Sequence, residues 1–179
     1  MKQFALGKSK KARVWIDELP DTIDTLGTAC EITMSGTRES MLAMQAAVEV
    51  LVPLGPRSMY GLLGGRFTPS ANGQLTVKIF SSSVVGKSFP SSLASAGDQV
   101  WTGLPIEYSE AVKEGIHLVE QDIGVVSGEL IINCAAYGEI GSCYAIFKSL
   151  AIVLTKLISE QKSNLTDDEI VALFPATFA

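Results

Sequence analysis

The sequence predicts an α+β domain: a mixed, mainly antiparallel sheet with helices packed on one face. Three observations predict it. Gln74 to Phe80 alternates, with Leu75, Val77 and Ile79 on one side, which is the period of a half-buried strand. Between Pro105 and Gln121 the period becomes helical, with Tyr108, Ala111, Val112, Gly115 and Val119 in one stripe. From Ser142 to Glu160 the chain is apolar on nearly every side, so a helix there needs a sheet on one face and a second helix or subunit on the rest.

Composition bounds the remainder. With 179 residues, 47% hydrophobic and 18% charged, the chain can bury the core of one domain. Residues 1–12 read as a basic flexible arm and 13–179 as the single α+β domain. Lys2, Lys8, Lys10, Lys11 and Arg13 give the first thirteen residues +5 with no acid. The remainder then holds nine basic against nineteen acidic residues, −10. An acidic body repels a phosphate backbone, so RNA or ribosome contact is expected to be weak and confined to the arm.

No apolar stretch is long enough for a leader segment near Phe4–Leu6, and Lys148 and Lys156 interrupt the longest apolar helix. The expectation is a cytoplasmic protein with no membrane contact. Cys30, Cys134 and Cys143 are far apart and in apolar settings, which suits reduced, buried thiols.

The elements follow in order. Ala12 to Ile16 and Ala29 to Met34 read as short strands separated by a turn at Leu19-Pro20-Asp21. A helix is predicted from about Thr37 to Val52, capped by Ser35 or Thr37, with Met41, Met44, Val48, Leu51 and Val52 as its stripe and Pro53 as its stop. Gly64-Gly65-Arg66 reads as a hairpin. It is not a phosphate loop, because no Gly-Lys-Ser/Thr follows and a strand stands where that motif requires a helix. Ser81 to Ser95, with seven serines, reads as a long surface loop.

The strand Glu129 to Ala136 would place Leu130, Ile132 and Cys134 on one side. A final helix opens at Thr166-Asp167-Asp168-Glu169, a capping box. Cys30–Val52 and Leu130–Leu154 both read as strand, turn and apolar helix, the pattern an ancient duplication would leave.

For chemistry, one histidine is too few for the common hydrolase arrangements, and no zinc spacing or paired-carboxylate motif is present. His117 lies between Glu114 and Glu120 on a helix surface and reads as an exposed, salt-bridged residue. The turn Gly138–Cys143 is the first place to look for a site: Glu139 sits between glycines, and Ser142 and Cys143 begin a helix whose amides could hold an anion or activate a thiol. The same residues also make a flexible turn with an N-cap.

Gly64-Gly65-Arg66, Gly73-Gln74, the run Pro105-x-x-Tyr108-x-x-Ala111-Val112-x-x-Gly115-Ile116, and Tyr137, Ser142 and Phe147 together resemble domain IV of the translational GTPase elongation factor G. The resemblance covers roughly residues 64–160 and carries no GTPase with it. It implies a ribosomal protein S5 domain 2-like fold, with Arg66 in a first tip loop and Tyr137 and Ser142 in a second. Where the family carries a histidine and an acidic residue in that second loop, this chain has Gly138 and Gly141, and a following acidic position is Tyr144.

The function expected from these readings is a non-catalytic binding or assembly protein with no cofactor and no metal. Its candidate binding residues are Arg66, Tyr137, Glu139, Ser142 and Cys143. Self-association as a homodimer is expected, to cover the apolar helix. A ribosome- or RNA-associated translation module, or a small-molecule enzyme with its site at Gly138–Cys143, are the alternatives.

Overall fold

Strand β1 spans Lys2–Leu6, β2 Lys10–Ile16, β3 Thr28–Arg38, β4 Met44–Leu54, β5 Arg57–Pro69 and β6 Gln74–Ser81 in the computed structural model. After a long connection come β7 (Val100–Thr102), a 3-10 turn (Ile106–Tyr108), helix α1 (Ser109–Ile123), β8 (Val125–Val126), β9 (Gly128–Gly138), helix α2 (Tyr144–Glu160) and helix α3 (Asp167–Ala172). The structure describes residues 1–7, 9–23, 27–39, 42–162 and 164–175, so Lys8 and Met41 lie outside the described residues.

Among the described residues the strands form one sheet in the order β1-β2-β4-β5-β9-β6-β3-β8, and β7 pairs with β9 beyond the end of β6. Pairing is antiparallel except for β6 with β9 and β3 with β8. This is the α+β class, with a mostly antiparallel sheet and few helices. No described helix is long and apolar enough to cross a membrane.

The predicted helix from Thr37 to Val52 is instead the end of β3 and most of β4. The reason is burial on both sides. Ala46, Val48, Val50 and Val52 point into the main core with the helices, while Ala47 belongs to a second core on the opposite face and Leu51 packs against it. A strand covered on both faces is a continuous apolar run, and such a run has no period-2 signature to separate it from a helix. With this helix goes the apparent duplication, since Cys30–Val52 contains no strand-turn-helix unit.

Gly64 and Gly65 are likewise not a hairpin but the middle of β5, paired with Ala47 and Ala46 on one side and Cys134 and Ile132 on the other. The basic arm is also corrected. Residues 2–6 and 10–16 are paired strands at one edge of the sheet. Lys2 Nζ bonds Asp167 at 2.9 Å and Arg13 reaches Glu49 at 3.3 Å.

Gly64 pairs with Cys134 but Gly65 with Ile132, which leaves Asn133 as the extra residue of a β-bulge. The bulge reverses the facing of everything after it. Leu130 and Ile132 lie in the main core, whereas Cys134 joins Ala136 in the second core, so the sequence-based placement of Cys134 beside Leu130 and Ile132 does not hold.

Helices α1 and α2 pack on the main-core face. They cross at Gly115, where a Cβ would collide with the Lys148 carbonyl oxygen and lie 2.8 Å from the Ala151 Cβ. Tyr108 stacks on Phe147 with ring centroids 4.8 Å apart. Leu150, Ala151, Val153, Leu154, Leu157 and Ile158 of α2 are all buried within the single chain. The cover that the sequence assigned to a sheet on one face and a second helix or subunit on the rest comes, for these residues, from the sheet and α1. Helix α3 begins with the predicted capping box, Thr166 Oγ1 accepting from the Glu169 amide at 3.3 Å and Glu169 accepting from the Thr166 amide at 2.8 Å.

Candidate functional site

The second core faces away from the helices, and the connection between β6 and β7 lies across it like a strap. Phe89 and Ala94 from the strap pack with Trp15, Ala47, Tyr60, Leu62, Cys134 and Ala136 of the sheet. One polar group is sunk into this layer. Glu49 of β4 is 0% exposed, yet its oxygens are all engaged: the Tyr60 hydroxyl donates at 3.0 Å, the Leu93 amide at 2.8 Å and Arg13 Nη1 at 3.3 Å. Arg13 Nη1 also donates to the Ser91 carbonyl at 2.7 Å. Glu49 and Arg13 thus hold two successive parts of the strap onto the sheet.

Burial pushes the Glu49 carboxyl above its ordinary value, and the bonds from Leu93, Tyr60 and Arg13 oppose this only in part. The Tyr60 phenol is pushed up by burial and then by Glu49. Cys134, 3.1 Å from Thr22 Oγ1, has its thiol pushed up to about 11 by burial, the reverse of what a nucleophilic thiol needs.

The strap ends against the Gly138–Cys143 turn. Asp98 accepts from the Ile140 amide at 3.1 Å and the Gly141 amide at 2.8 Å. Ser142 Oγ donates to the Tyr60 carbonyl at 2.8 Å and accepts from the Gly138 amide at 2.9 Å. The Tyr60 amide in turn donates to the Gly141 carbonyl at 3.0 Å. Backbones approach so closely here that a Cβ at Gly141 would lie 2.6 Å from the Ser58 carbonyl oxygen.

Between strap, turn and the β4–β5 hairpin lies a cleft of ≈ 610 Å³ whose walls include Leu51, Arg57, Tyr60, Leu93, Asp98 and Ile140. That volume is in the range of small-ligand sites, which are apolar hollows with a few convergent polar groups. Ile140 is 71% exposed at its rim.

The sequence-predicted site residues distribute around this turn, with one exception. Ser142 is the clasp just described. Glu139 is exposed, and its amide bonds the Gln99 carbonyl at 2.9 Å. Cys143 is the N-cap of α2 but makes no side-chain capping bond, and its sulfur lies 3.8 Å from Met59 Sδ. The Ser142 hydroxyl is thus engaged with backbone, and Cys143 packs against the main core. Tyr137, its phenol pushed up by burial and then by Glu107 and Glu139, lines a separate hollow of ≈ 140 Å³ with Glu107 and Val84.

Arg66 is the exception. It lies six residues along β5 from Tyr60, about 20 Å away in an extended strand. Its Nε donates to Gln45 Oε1 at 3.3 Å.

Arg57, Asp98 and Glu49 were missed by the sequence reading. Arg57 follows a Gly-Pro turn and Asp98 a run of small residues, neither of which marks a ligand contact, and Glu49 reads as the solvent face of a helix. His117 lies on α1, exposed and 3.1 Å from Glu120. Among the described residues, no three His, Cys, Asp or Glu side chains gather as metal ligands. Comparison of the chain with protein-family models, with curated proteins and with solved structures gives no match, so its function is read from the cleft alone.

Proposed function

We propose that this chain is a non-catalytic binding protein whose ligand seats in the cleft between the strap and the Gly138–Cys143 turn. The observation that carries the reading is the double tie of Asp98 to the Ile140 and Gly141 amides, which joins two segments distant in sequence into one preformed wall. The carboxylate in the cleft lining and the one that fastens the strap are committed to structure, Asp98 to backbone amides and Glu49 to three donors, so binding accounts for the arrangement better than acid-base chemistry does.

Strand pairing of Lys2 and Arg13, each ion-paired, takes away the mobile arm on which an RNA contact would depend. Kinship with the ribosomal protein S5 domain 2-like fold and elongation factor G domain IV is supported by the α1–β9–α2 stretch. The mid-strand position of Gly64–Arg66 counts against a tip loop there. Cys30, Cys134 and Cys143 are free thiols, which suits a reducing compartment such as the cytoplasm.

The test is a small-molecule screen monitored by backbone amide shifts, with hits recovered afterwards for mass analysis. Shifts gathered at 57–60, 93–98 and 140–141, with the compounds recovered unchanged, support the reading. Hits that gather elsewhere, or that return chemically altered, overturn it.

A further inference from the structure

Arg57 differs from the chain's other arginines. Arg13 bonds Glu49 and Ser91, Arg38 donates to the carbonyls of Ile123 and Ser159 at 2.8 and 3.4 Å, and Arg66 bonds Gln45. Arg57 is exposed on the cleft wall, and among the described residues its guanidinium has no hydrogen bond or ion pair. Leu51, Leu93, Ala94 and Asp98 share the lining with it, and the Asp98 oxygens are already taken by the two amide donors of the turn. Of the two charged side chains among the described residues that line the cleft, Arg57 is therefore the one whose hydrogen-bonding groups are left open. A second hollow of ≈ 680 Å³ that shares Ala96–Asp98 has no Lys, Arg or His among the described residues that line it.

We infer that the cleft takes an amphipathic anion: an apolar, ring-sized body against Leu51, Leu93 and Ala94, with one carboxylate on the Arg57 guanidinium. A guanidinium offers a planar fork that matches a carboxylate with two parallel N–H bonds. The apolar walls supply the non-directional part of the affinity and exclude water from that pair. This rests on the cleft being the binding site proposed above, and it adds the class of ligand.

Three probes with one apolar body separate the two claims: naphthylacetate, naphthylethanol and naphthylethylammonium, each titrated into the full chain while the amides of Ser58, Gly97 and Ile140 are followed. Naphthylacetate should bind on the order of tenfold more tightly than the alcohol. Arg57→Gln should bring the two level, with the larger loss on naphthylacetate, and Arg57→Lys should restore part of the difference. Equal binding of all three at these amides, unmoved by Arg57→Gln, overturns the anion and leaves the cleft standing. Tightest binding by the ammonium probe, weakened by Asp98→Asn, also overturns it, in favour of a cationic ligand. Probes that leave the cleft amides unshifted overturn the cleft reading and the inference with it.

Discussion

The backbone amide of Leu93 donates to Glu49 Oε1 at 2.8 Å, so a serine-rich connection is fastened to the middle of the sheet by a carboxylate with no exposure to solvent. The cleft depends on this contact, because Leu93 and Asp98 reach its wall from the same strap.

Protonation of Glu49 should couple to stability. Its folded-state value is raised above 4.5 by burial, so folding favours the protonated form relative to the unfolded chain. The associated stabilisation is fully present below the unfolded value and is lost as pH rises through the folded one. Glu49→Gln has no such dependence. The stability of Glu49→Gln relative to wild type, from urea melts, should therefore rise from mildly acidic to neutral pH. A constant difference across that interval would assign Glu49 an ordinary carboxyl.

Removing Arg13 should loosen the strap. Arg13→Ala deletes the bonds to Glu49 and to the Ser91 carbonyl, at a cost of about 1.5–3 kcal/mol for bonds that involve charged groups. Amide exchange should accelerate at Leu93 and its neighbours while α1 and α2 stay protected. Uniform acceleration throughout would mean that the strap does not open independently.

Gly115→Ala sets two effects against each other. Helix propensity favours alanine by about 1 kcal/mol. The added methyl, however, would collide with the Lys148 carbonyl and the Ala151 Cβ, and overpacking costs about 1–3 kcal/mol. The variant should be less stable than wild type in denaturant melts. A gain in stability would show that the helices separate easily.

Thiol labelling should rank the cysteines. Cys134 is buried, with its thiol pushed up to about 11, whereas Cys30 and Cys143 are half-buried. At neutral pH roughly one Cys134 thiol in ten thousand is ionised. Mass spectrometry of partly alkylated native protein should find Cys134 modified last, and only as the chain unfolds. Early labelling of Cys134 would contradict its placement in the second core.

What the sequence determined by itself is local. The alternation at Leu75, Val77 and Ile79, the helical stripe of α1 and the Thr166–Glu169 capping box each follow from neighbours a few residues apart, and each is present in the fold. The turn Gly138–Cys143 was also legible as the link between a strand and a helix. Tertiary structure alone decided three other things. Met44–Leu54 is a strand because layers from distant parts of the chain cover both its faces, which erases the period that would have marked it. Cys134 faces the second core because pairing with β5 leaves Asn133 as an extra residue. Arg57, Asp98 and Glu49 come together at one cleft and its fastening only through strand register and the path of the strap. Periodicity and capping are set within a few residues of chain, whereas register, two-sided burial and convergent side chains depend on pairings across the chain that no short window of sequence contains.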